Sequence, residues 1–259
     1  MAETDSALAA RLAAEAGELL RELRLDAGAG AEPAVLRHAG DRGAQRLIAD
    51  ELAAVRPADA MLSEEAEDDL ARLRADRVWI IDPLDGTYDF AEGRPDWAVH
   101  VALWERGELI AGAVALPDLP DLLRTDPPSV VPVRTPGPVR IAVSRSRTPA
   151  RVREIAAALE AELVPMGSAG YKVGAVVRGE VDAYVHAGGQ YEWDSAAPVA
   201  VARAAGLHTS RIDGSPLRYN AADPYLPDLI VARPELAVAL LTACAAPGPA
   251  PAAPATRSA

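Results

Sequence analysis

Seven of the 22 residues from Pro117 to Pro138 are proline, and this run constrains the fold more than any other feature of the chain. Proline has no backbone N–H to donate, so the run excludes a helix and a central β-strand. We therefore expect the 259-residue chain to form two subdomains, residues 1–135 and 136–245. Residues 246–259 are dominated by Pro and Ala, a composition typical of a disordered tail.

The two sides of this run carry different patterns. In the first half, apolar residues at helical spacing predict helices around Leu8 to Leu23 and from about Asp41 to Leu52. Hydrophobic runs predict strands at 78–81, 98–104 and 109–116. The second half alternates, which is typical of an α/β arrangement. Its predicted strands are at 139–144, 181–186 and 229–232. Helices are predicted to begin at Thr148-Pro149, with an apolar face that continues to Leu163, to run from Ser168 to Val177, and to follow Asp194.

The charge balance and the cysteine content exclude several classes of protein. The 38 acidic and 26 basic residues give a formal net charge of −12, whereas a nucleic-acid polymer would require a basic surface. The single cysteine, Cys244, excludes an intrachain disulfide. The longest apolar stretch, around residues 236–246, is too short to cross a bilayer, and the N-terminus lacks a signal-peptide pattern. We expect a cytoplasmic protein without a membrane partner.

The sharpest local feature is a strand that ends in acidic residues. The apolar run 78–81 stops at Asp82 and the proline that follows it, and Gly86 allows a turn that brings Asp85 beside Asp82. Two carboxylates on one turn suit a hard cation such as Mg²⁺. The backbone N–H groups of Gly86 and Thr87 can bind a phosphate oxygen. Taken alone, the same residues would also suit an ordinary turn.

The spacing of these acids disfavours one kind of phosphatase. Haloacid-dehalogenase-type enzymes carry Asp-x-Asp-Gly-Thr, with a nucleophilic Asp two residues before the second. Here the two acids, Asp82 and Asp85, are three residues apart with a proline between them. A covalent aspartyl-phosphate intermediate is therefore not expected.

Two more acidic segments accompany the turn, Glu64-Glu65 and Glu192-Trp193-Asp194-Ser195-Ala196-Ala197. Together with WIIDPLDGT they resemble the three signatures of the inositol monophosphatase superfamily. Their order and separation match over roughly residues 8–232. The resemblance implies a layered αβαβα sandwich (α/β, α+β overall), with an α+β half, then an α/β half, and a site in the crevice between them.

The resemblance also implies a set of metal ligands for two or three Mg²⁺ ions per site. These are Glu64, Asp82, the backbone carbonyl of Leu84, Asp85 and Asp194. In the same scheme Asp82 bridges two ions, and Asp194 also contacts the substrate.

The catalytic residues implied by the resemblance are Asp41, Thr87 and Glu64, with Asp41 and Thr87 polarising the attacking water. Purely structural interpretations remain open at this point. Asp41 and Asp194 would each suit a helix N-cap, and Glu64 begins an acidic run that could simply be solvated. We assign that solvated role to Glu65 and to residues 67–69.

Three segments of the second half resemble the bisphosphate nucleotidases, the branch of the superfamily that hydrolyses 3'-phosphoadenosine 5'-phosphate. They are Ser144-Arg145-Ser146-Arg147, the segment from Gly167 to Lys172, and Glu192 to Pro198. The resemblance implies substrate contacts from Ser144, Arg147 and Lys172, besides the backbone of Gly86 and Thr87. A second phosphate needs cations away from the metals, which Arg147 and Lys172 would supply. Alternatively, Lys172 is a solvated lysine and Arg147 only flanks a strand end.

The function predicted from the sequence is Mg²⁺-dependent hydrolysis of this small-molecule phosphate ester by water, linked to sulfate assimilation and sensitive to lithium. The resemblance allows a homodimer. Inositol monophosphate and fructose 1,6-bisphosphate are alternative substrates, because the metal core does not distinguish among them. A regulator that binds nucleotide or metal without catalysis is the alternative from another class. The four scattered histidines do not predict a zinc site.

Overall fold

The first half of the chain builds one five-stranded sheet with the order β1-β2-β3-β4-β5. The computed structural model describes residues 3–28, 30, 32–119 and 121–246. Strands β1 and β2 pair in parallel, and the other neighbours are antiparallel. The elements are α1 (Asp5–Ala27), α2 (Pro33–Val55), β1 (Ala60–Ser63), β2 (Arg77–Asp85), α3 (Thr87–Ala91), β3 (Ala98–Glu105), β4 (Glu108–Leu116) and β5 (Asp121–Arg124), with a 3₁₀ turn at Ala71–Arg74.

The second half builds another five-stranded sheet, with the order β7-β6-β8-β10-β9. Strand β6 pairs in parallel with β7 and β8, while β10 is antiparallel to β8 and β9. The elements are β6 (Arg140–Ser144), α4 (Ala150–Ala158), β7 (Glu162–Met166), α5 (Ala169–Val177), β8 (Ala183–Tyr191), α6 (Glu192–Ala204), β9 (His208–Ser210), β10 (Tyr225–Ala232) and α7 (Ala237–Ala245), with a 3₁₀ turn at Pro234–Leu236.

Three apolar clusters join these elements into five layers. Helices α1 and α2 cover one face of the first sheet, and α5 and α6 lie between the two sheets. Helices α4 and α7 cover the outer face of the second sheet. The central strands are buried on both faces: Trp79 and Ile81 face α1 and α2, whereas Val78 and Ile80 face α5 and α6. The predicted αβαβα sandwich is confirmed.

The chain passes from one sheet to the other between Arg124 and Arg140, a segment that overlaps the proline run. Strand β5 also lies in that run, at the edge of its sheet, where a missing N–H breaks no central ladder. The division at residue 135 stays a prediction, and so does the disordered tail, of which residues 247–259 lie outside the described part. Within the described residues, no helix is long and apolar enough to span a membrane.

Several predicted helix boundaries were wrong. Helix α2 begins at Pro33, where proline suits the first turn, so Asp41 lies inside the helix and is not its N-cap. Helix α4 begins at Ala150, and the Thr148 hydroxyl donates a hydrogen bond to the Ser144 carbonyl instead of capping the helix. Helix α4 ends before Leu163, which lies in β7.

Helix α6 also begins earlier than predicted, at Glu192, and this places Asp194 in its first turn. The Asp194 carboxylate accepts a 2.6 Å hydrogen bond from the backbone N–H of Tyr191. Carboxylates are favoured in a first helical turn, because the helix dipole and the free N–H groups attract negative charge. Asp194 is therefore held by backbone contacts while one side of it faces the crevice.

The close contact of α6 with the first sheet gives a test of the packing. A Cβ atom on Gly112 of β4 would lie 2.8 Å from the Ala200 Cβ of α6. We expect Gly112→Ala to lower the free energy of unfolding by roughly 1–3 kcal/mol, because overpacking forces rigid elements apart. The measurement is urea unfolding. Gly43→Ala is the matched control, since its Cβ would meet only the flexible end of Leu19, at 3.2 Å. Equal stabilities of the two variants would contradict the packing.

Candidate functional site

A cavity of about 890 Å³ opens where the two halves meet. It lies at the carboxyl ends of β6, β7 and β8 and beside the end of β2, the edge at which open α/β sheets bind ligands. Its wall is strongly acidic. The acidic residues that line it are Glu64, Asp82, Asp85, Asp89, Glu92 and Asp194, and the basic ones are Arg94, Arg145 and Lys172.

The end of β2 delivers two carboxylates to this cavity. Pairing with β3 shifts register between Asp82 and Asp85, so the strand bulges where the proline stands. The Asp82 carboxylate accepts a 3.0 Å hydrogen bond from the backbone N–H of Leu84. Gly86 follows in a left-handed conformation, φ +89°, and a Cβ there would lie 3.3 Å from Ser168 and Trp97. Only glycine fits this turn without strain.

Burial, together with neighbouring negative charge, raises the pKa values of Asp82, Asp194 and Glu64. Asp82 is 1% exposed, and burial followed by the charges of Glu64 and Asp85 raises its pKa well above the usual range. Burial and the charge of Asp85 raise the pKa of Asp194 to about 7. Glu64 is reachable from the cavity, yet partial burial and the charge of Asp194 raise its pKa as well. Ionised carboxylates at these positions therefore repel one another, and a bound proton or cation relieves the repulsion.

Asp85 links the two halves of the molecule. Its Oδ2 accepts hydrogen bonds from the Ser168 hydroxyl at 2.5 Å and from the Gly170 backbone N–H at 2.8 Å. Ser168 caps α5 in a strained backbone conformation, φ +41°. Such strain persists where surrounding contacts stabilise it. Here the stabilising contact is the hydrogen bond from Ser168 to Asp85, a predicted metal ligand.

His100 belongs to the same cluster, although the sequence did not single it out. It is fully buried on β3, with Nε2 3.3 Å from Asp85 Oδ2 and Nδ1 3.2 Å from the Trp193 carbonyl oxygen. Burial lowers its pKa, which favours the neutral ring. His100 pairs directly with Asp82 across the sheet, a register that the sequence alone does not show.

These donors fit a hard divalent cation. Side-chain atoms of Asp82, Asp85 and His100 lie within 4.8 Å of one another. Glu64 and Asp194 line the same cavity, and the Leu84 carbonyl lies on the turn between Asp82 and Asp85. An oxygen-rich set with excess negative charge suits Mg²⁺-like ions rather than a soft metal.

Thr87, the first residue of α3, lines the cavity, whereas Asp41 of α2 is not among the residues that line it. The Thr87 hydroxyl donates a 3.0 Å hydrogen bond to the Leu84 carbonyl oxygen, and the half-buried Asp41 carboxyl lies close to Thr87. Burial and the charge of Glu65 raise the pKa of Asp41 to about 7, an effect that Thr87 opposes. The structure thus brings together the pair that the resemblance implies.

The predicted substrate contacts are divided between two places. Ser144 and Lys172 line the cavity, but Arg147 is exposed and does not; Arg145 lines it instead. The guanidinium of Arg145 reaches across the crevice to Asp89, at 2.6 Å, and to Asp96. The tetrapeptide alone could not show which of its two arginines lines the cavity, and a substrate contact from either one stays a prediction.

Lys172 is not the solvated lysine of the alternative interpretation. It is 5% exposed, and its ammonium group donates hydrogen bonds to the carbonyls of Gly167, at 2.9 Å, and Ser168, at 2.5 Å. Burial lowers its pKa to about 8. Lys172 therefore stabilises the strained turn at Gly167 and Ser168, and Ser168 in turn donates a hydrogen bond to Asp85.

Part of the acidic run after Glu64 is structural rather than solvated. Asp68 forms an ion pair with the buried Arg72 at 2.7 Å, and Arg72 also donates to the Asn220 side chain. Glu192 accepts hydrogen bonds from the backbone N–H groups of Asn220 and Ala221. This network ties the segment that follows Glu64 to the helix that carries Asp194.

Comparisons with known proteins agree with this arrangement. The sequence model of the inositol monophosphatase family matches residues 1–126 and 131–244. A Mycobacterium tuberculosis protein named 3'-phosphoadenosine 5'-phosphate phosphatase is 55% identical over 240 residues, which are 89% of this chain and 90% of that protein. The 3'(2'),5'-bisphosphate nucleotidase CysQ of Escherichia coli K12 is 31% identical over 200 residues, 73% of this chain and 81% of that one.

Solved structures show the same fold. The crystal structure of CysQ from Bacteroides thetaiotaomicron, described as a bacterial member of the inositol monophosphatase family, gives a TM-score of 0.74 at 24% identity. The match covers 89% of this chain and 97% of that one.

A divalent cation should stabilise the protein more at high pH than at low pH. The pKa of Asp194 is raised to about 7, so in the folded chain it binds a proton at pH values where the unfolded chain has released it. Without a cation, its contribution to stability is therefore largest below the unfolded pKa and is lost as pH rises through about 7. A cation replaces the proton, and does so more readily at high pH.

The measurement is thermal unfolding with and without MgCl₂, at about pH 5.5 and about pH 8. We expect the larger magnesium-dependent rise in Tm at the higher pH. KCl at matched ionic strength is the control for general screening. Equal rises with both salts, or no rise at either pH, would count against a cation site.

Proposed function

Because the chain belongs to the inositol monophosphatase family, we propose that it is a magnesium-dependent phosphatase that converts 3'-phosphoadenosine 5'-phosphate to AMP and inorganic phosphate. The observation that carries the proposal is an oxygen-rich carboxylate cluster in a crevice large enough for a nucleotide. The substrate class is supported by the relative that bears this activity in its name, at 55% identity over 89% of the chain.

Five groups would hold the metal. They are Glu64, Asp82, the carbonyl of Leu84, Asp85 and Asp194, for two or three Mg²⁺ ions. When bound, such ions lower the pKa of water and neutralise charge on phosphate oxygens. The protein's own part is to keep these ligands in place before the ions arrive, through the contacts of Leu84 N–H, Ser168 and Tyr191 described above.

The chain's other groups position the phosphate and the attacking water. The backbone N–H groups of Gly86 and Thr87 face the phosphate, where the glycine leaves room for an oxygen to approach. The Thr87 hydroxyl and the Asp41 carboxyl orient the water, and Glu64 accepts its proton. Burial raises the pKa of Asp41 to about 7, which suits that carboxyl to polarise water near neutral pH.

The rest of the substrate lies in the second half of the crevice. Lys172 uses two of its three N–H groups on backbone carbonyls and keeps one for a phosphate. Arg145 and Ser144 complete this wall, so Arg145 takes the role that the sequence assigned to Arg147. The predicted link to sulfate assimilation, the sensitivity to lithium, the cytoplasmic location and the homodimer belong to the same proposal.

Phosphate release from three substrates tests the function. We expect magnesium-dependent release from 3'-phosphoadenosine 5'-phosphate with a kcat/KM at least about tenfold above that for inositol 1-phosphate or fructose 1,6-bisphosphate, a preference worth about 1.4 kcal/mol. A preference for another ester would support the metal-dependent hydrolysis but contradict the proposal that a nucleotide is the substrate. Binding of the nucleotide without release from any ester would favour the non-catalytic regulator.

Loss of one ligand carboxylate should abolish turnover without unfolding the protein. Asp85→Asn keeps the size of the side chain and removes its charge. Mutation of residues that only hydrogen-bond to a metal ligand typically costs roughly 10–100-fold in activity. We expect a larger fall in kcat for Asp85→Asn, because it changes a ligand itself. The magnesium-dependent rise in Tm should shrink as well. Asp50→Asn is the matched control, on an exposed ion pair with Arg46. Near-normal turnover of Asp85→Asn would remove Asp85 from the site.

A further inference from the structure

The rim of the crevice carries an aromatic ring that the mechanism does not use. Tyr191 lines the cavity and is 46% exposed. One face of its ring stacks on Trp193, with centroids 4.8 Å apart and an angle of 14° between the planes. Tyr225 meets it edge-on at 6.2 Å. The ring is thus fixed by two neighbours while much of it stays open to the crevice.

The local fold explains how the ring is held. Tyr191 ends β8, where it pairs directly with Tyr225 of β10. Gly189 precedes it with φ +81°, and a Cβ there would lie 2.2 Å from the Tyr225 hydroxyl oxygen. A residue larger than glycine would push Tyr225 away and release its edge contact. The aromatic group therefore depends on this glycine, which also lines the cavity.

Tyr191 lies on the side of the crevice that the leaving group of the proposed reaction would occupy. Its backbone N–H donates to Asp194, so Tyr191 is anchored next to that predicted ligand. In phosphoryl transfer the attacking and leaving oxygens are in line on opposite sides of phosphorus. With the water beside Asp41 and Thr87 in the first half, the leaving nucleoside lies toward the second half, where Tyr191 stands.

We propose that Tyr191, backed by Trp193, is the platform on which the nucleobase of the substrate stacks. This inference rests on the proposed function and adds to it the group that distinguishes a nucleotide from a polyol or sugar phosphate. An aromatic face binds every base because each base has a π-face, whereas inositol and fructose offer none. The platform selects nucleotides as a class and discriminates weakly among bases.

A second exposed aromatic side chain on the cavity wall provides the control. Tyr88 is 69% exposed, and the Arg37 guanidinium lies over its ring at 4.5 Å. It follows Thr87 in α3, on the side of the attacking water. On the proposed direction of attack Tyr88 is therefore not the base platform, although its exposure and chemistry are similar to those of Tyr191.

The test compares two substrates that differ only in the base. They are 3'-phosphoadenosine 5'-phosphate and the abasic ribose 3,5-bisphosphate, each with the wild type, Tyr191→Leu, Tyr191→Phe and Tyr88→Ala. Tyr191→Leu keeps apolar bulk and removes the π-face, so we expect KM for the nucleotide to rise about tenfold with kcat within a few-fold, a size typical of one base–aromatic stack. For Tyr191→Leu, KM for the abasic substrate should not change. Tyr191→Phe keeps the aromatic face, so its KM for the nucleotide should equal that of the wild type. Tyr88→Ala should leave the ratio of the two KM values as in the wild type.

Calorimetric binding of AMP separates this inference from the function on which it rests. AMP lacks the scissile phosphate, so its binding does not depend on turnover. Weaker AMP binding by Tyr191→Leu, with Tm unchanged, supports the platform even if the wild type releases no phosphate from any nucleotide, a result that would sink the proposed function alone. Equal KM changes on both substrates, or AMP affinity that is the same in Tyr191→Leu and the wild type, would overturn the platform.

Discussion

The repulsion among carboxylates at the end of β2 is the interaction around which the rest of the site is organised. Asp82 and Asp85 stand on one bulged turn, with Glu64 and Asp194 on the same cavity, and burial raises the pKa of Asp82 and Asp194. A fold does not gather such charge for its own stability, because desolvated like charges cost free energy. The arrangement is explained if a cation is the missing partner.

Contacts across the crevice hold these charges together. Asp85 of the first sheet is bound by Ser168 and the backbone of α5. Arg145 reaches from the end of β6 to Asp89 on α3. The buried Arg72 connects the segment after Glu64 with Asn220, whose backbone is held by Glu192 of α6. The two halves are thus joined on several sides of the cavity, which pre-organises the ligands that come from each.

The sequence was most informative where a pattern is fully buried. The central strands β2, β3, β4, β6, β8 and β10 were predicted, since continuous or regularly spaced apolar residues mark them. The four strands that were missed, β1, β5, β7 and β9, are the four edges of the two sheets and are 3 to 5 residues long. Short edge strands are half-solvated, so little periodicity is imposed on them.

Residues far apart in sequence were harder to place in the site. The acidic turn and its partners follow motifs of adjacent residues, but His100 reaches Asp85 only through strand pairing. Likewise, Arg145 lines the crevice and Arg147 does not, and two arginines in one tetrapeptide give no indication of this difference. Such positions depend on tertiary contacts, and a single sequence does not contain an independent signal for them.

The most direct test of a cation-centred site is a crystal structure of the protein soaked in MnCl₂, with anomalous scattering used to locate the ions. Mn²⁺ is a suitable probe because it accepts the oxygen ligands that Mg²⁺ prefers. The account predicts anomalous peaks in the crevice in contact with Asp82 and Asp85, with Glu64 and Asp194 among the remaining ligands. An ordered, open crevice without a peak, or ions bound only elsewhere on the surface, would contradict it.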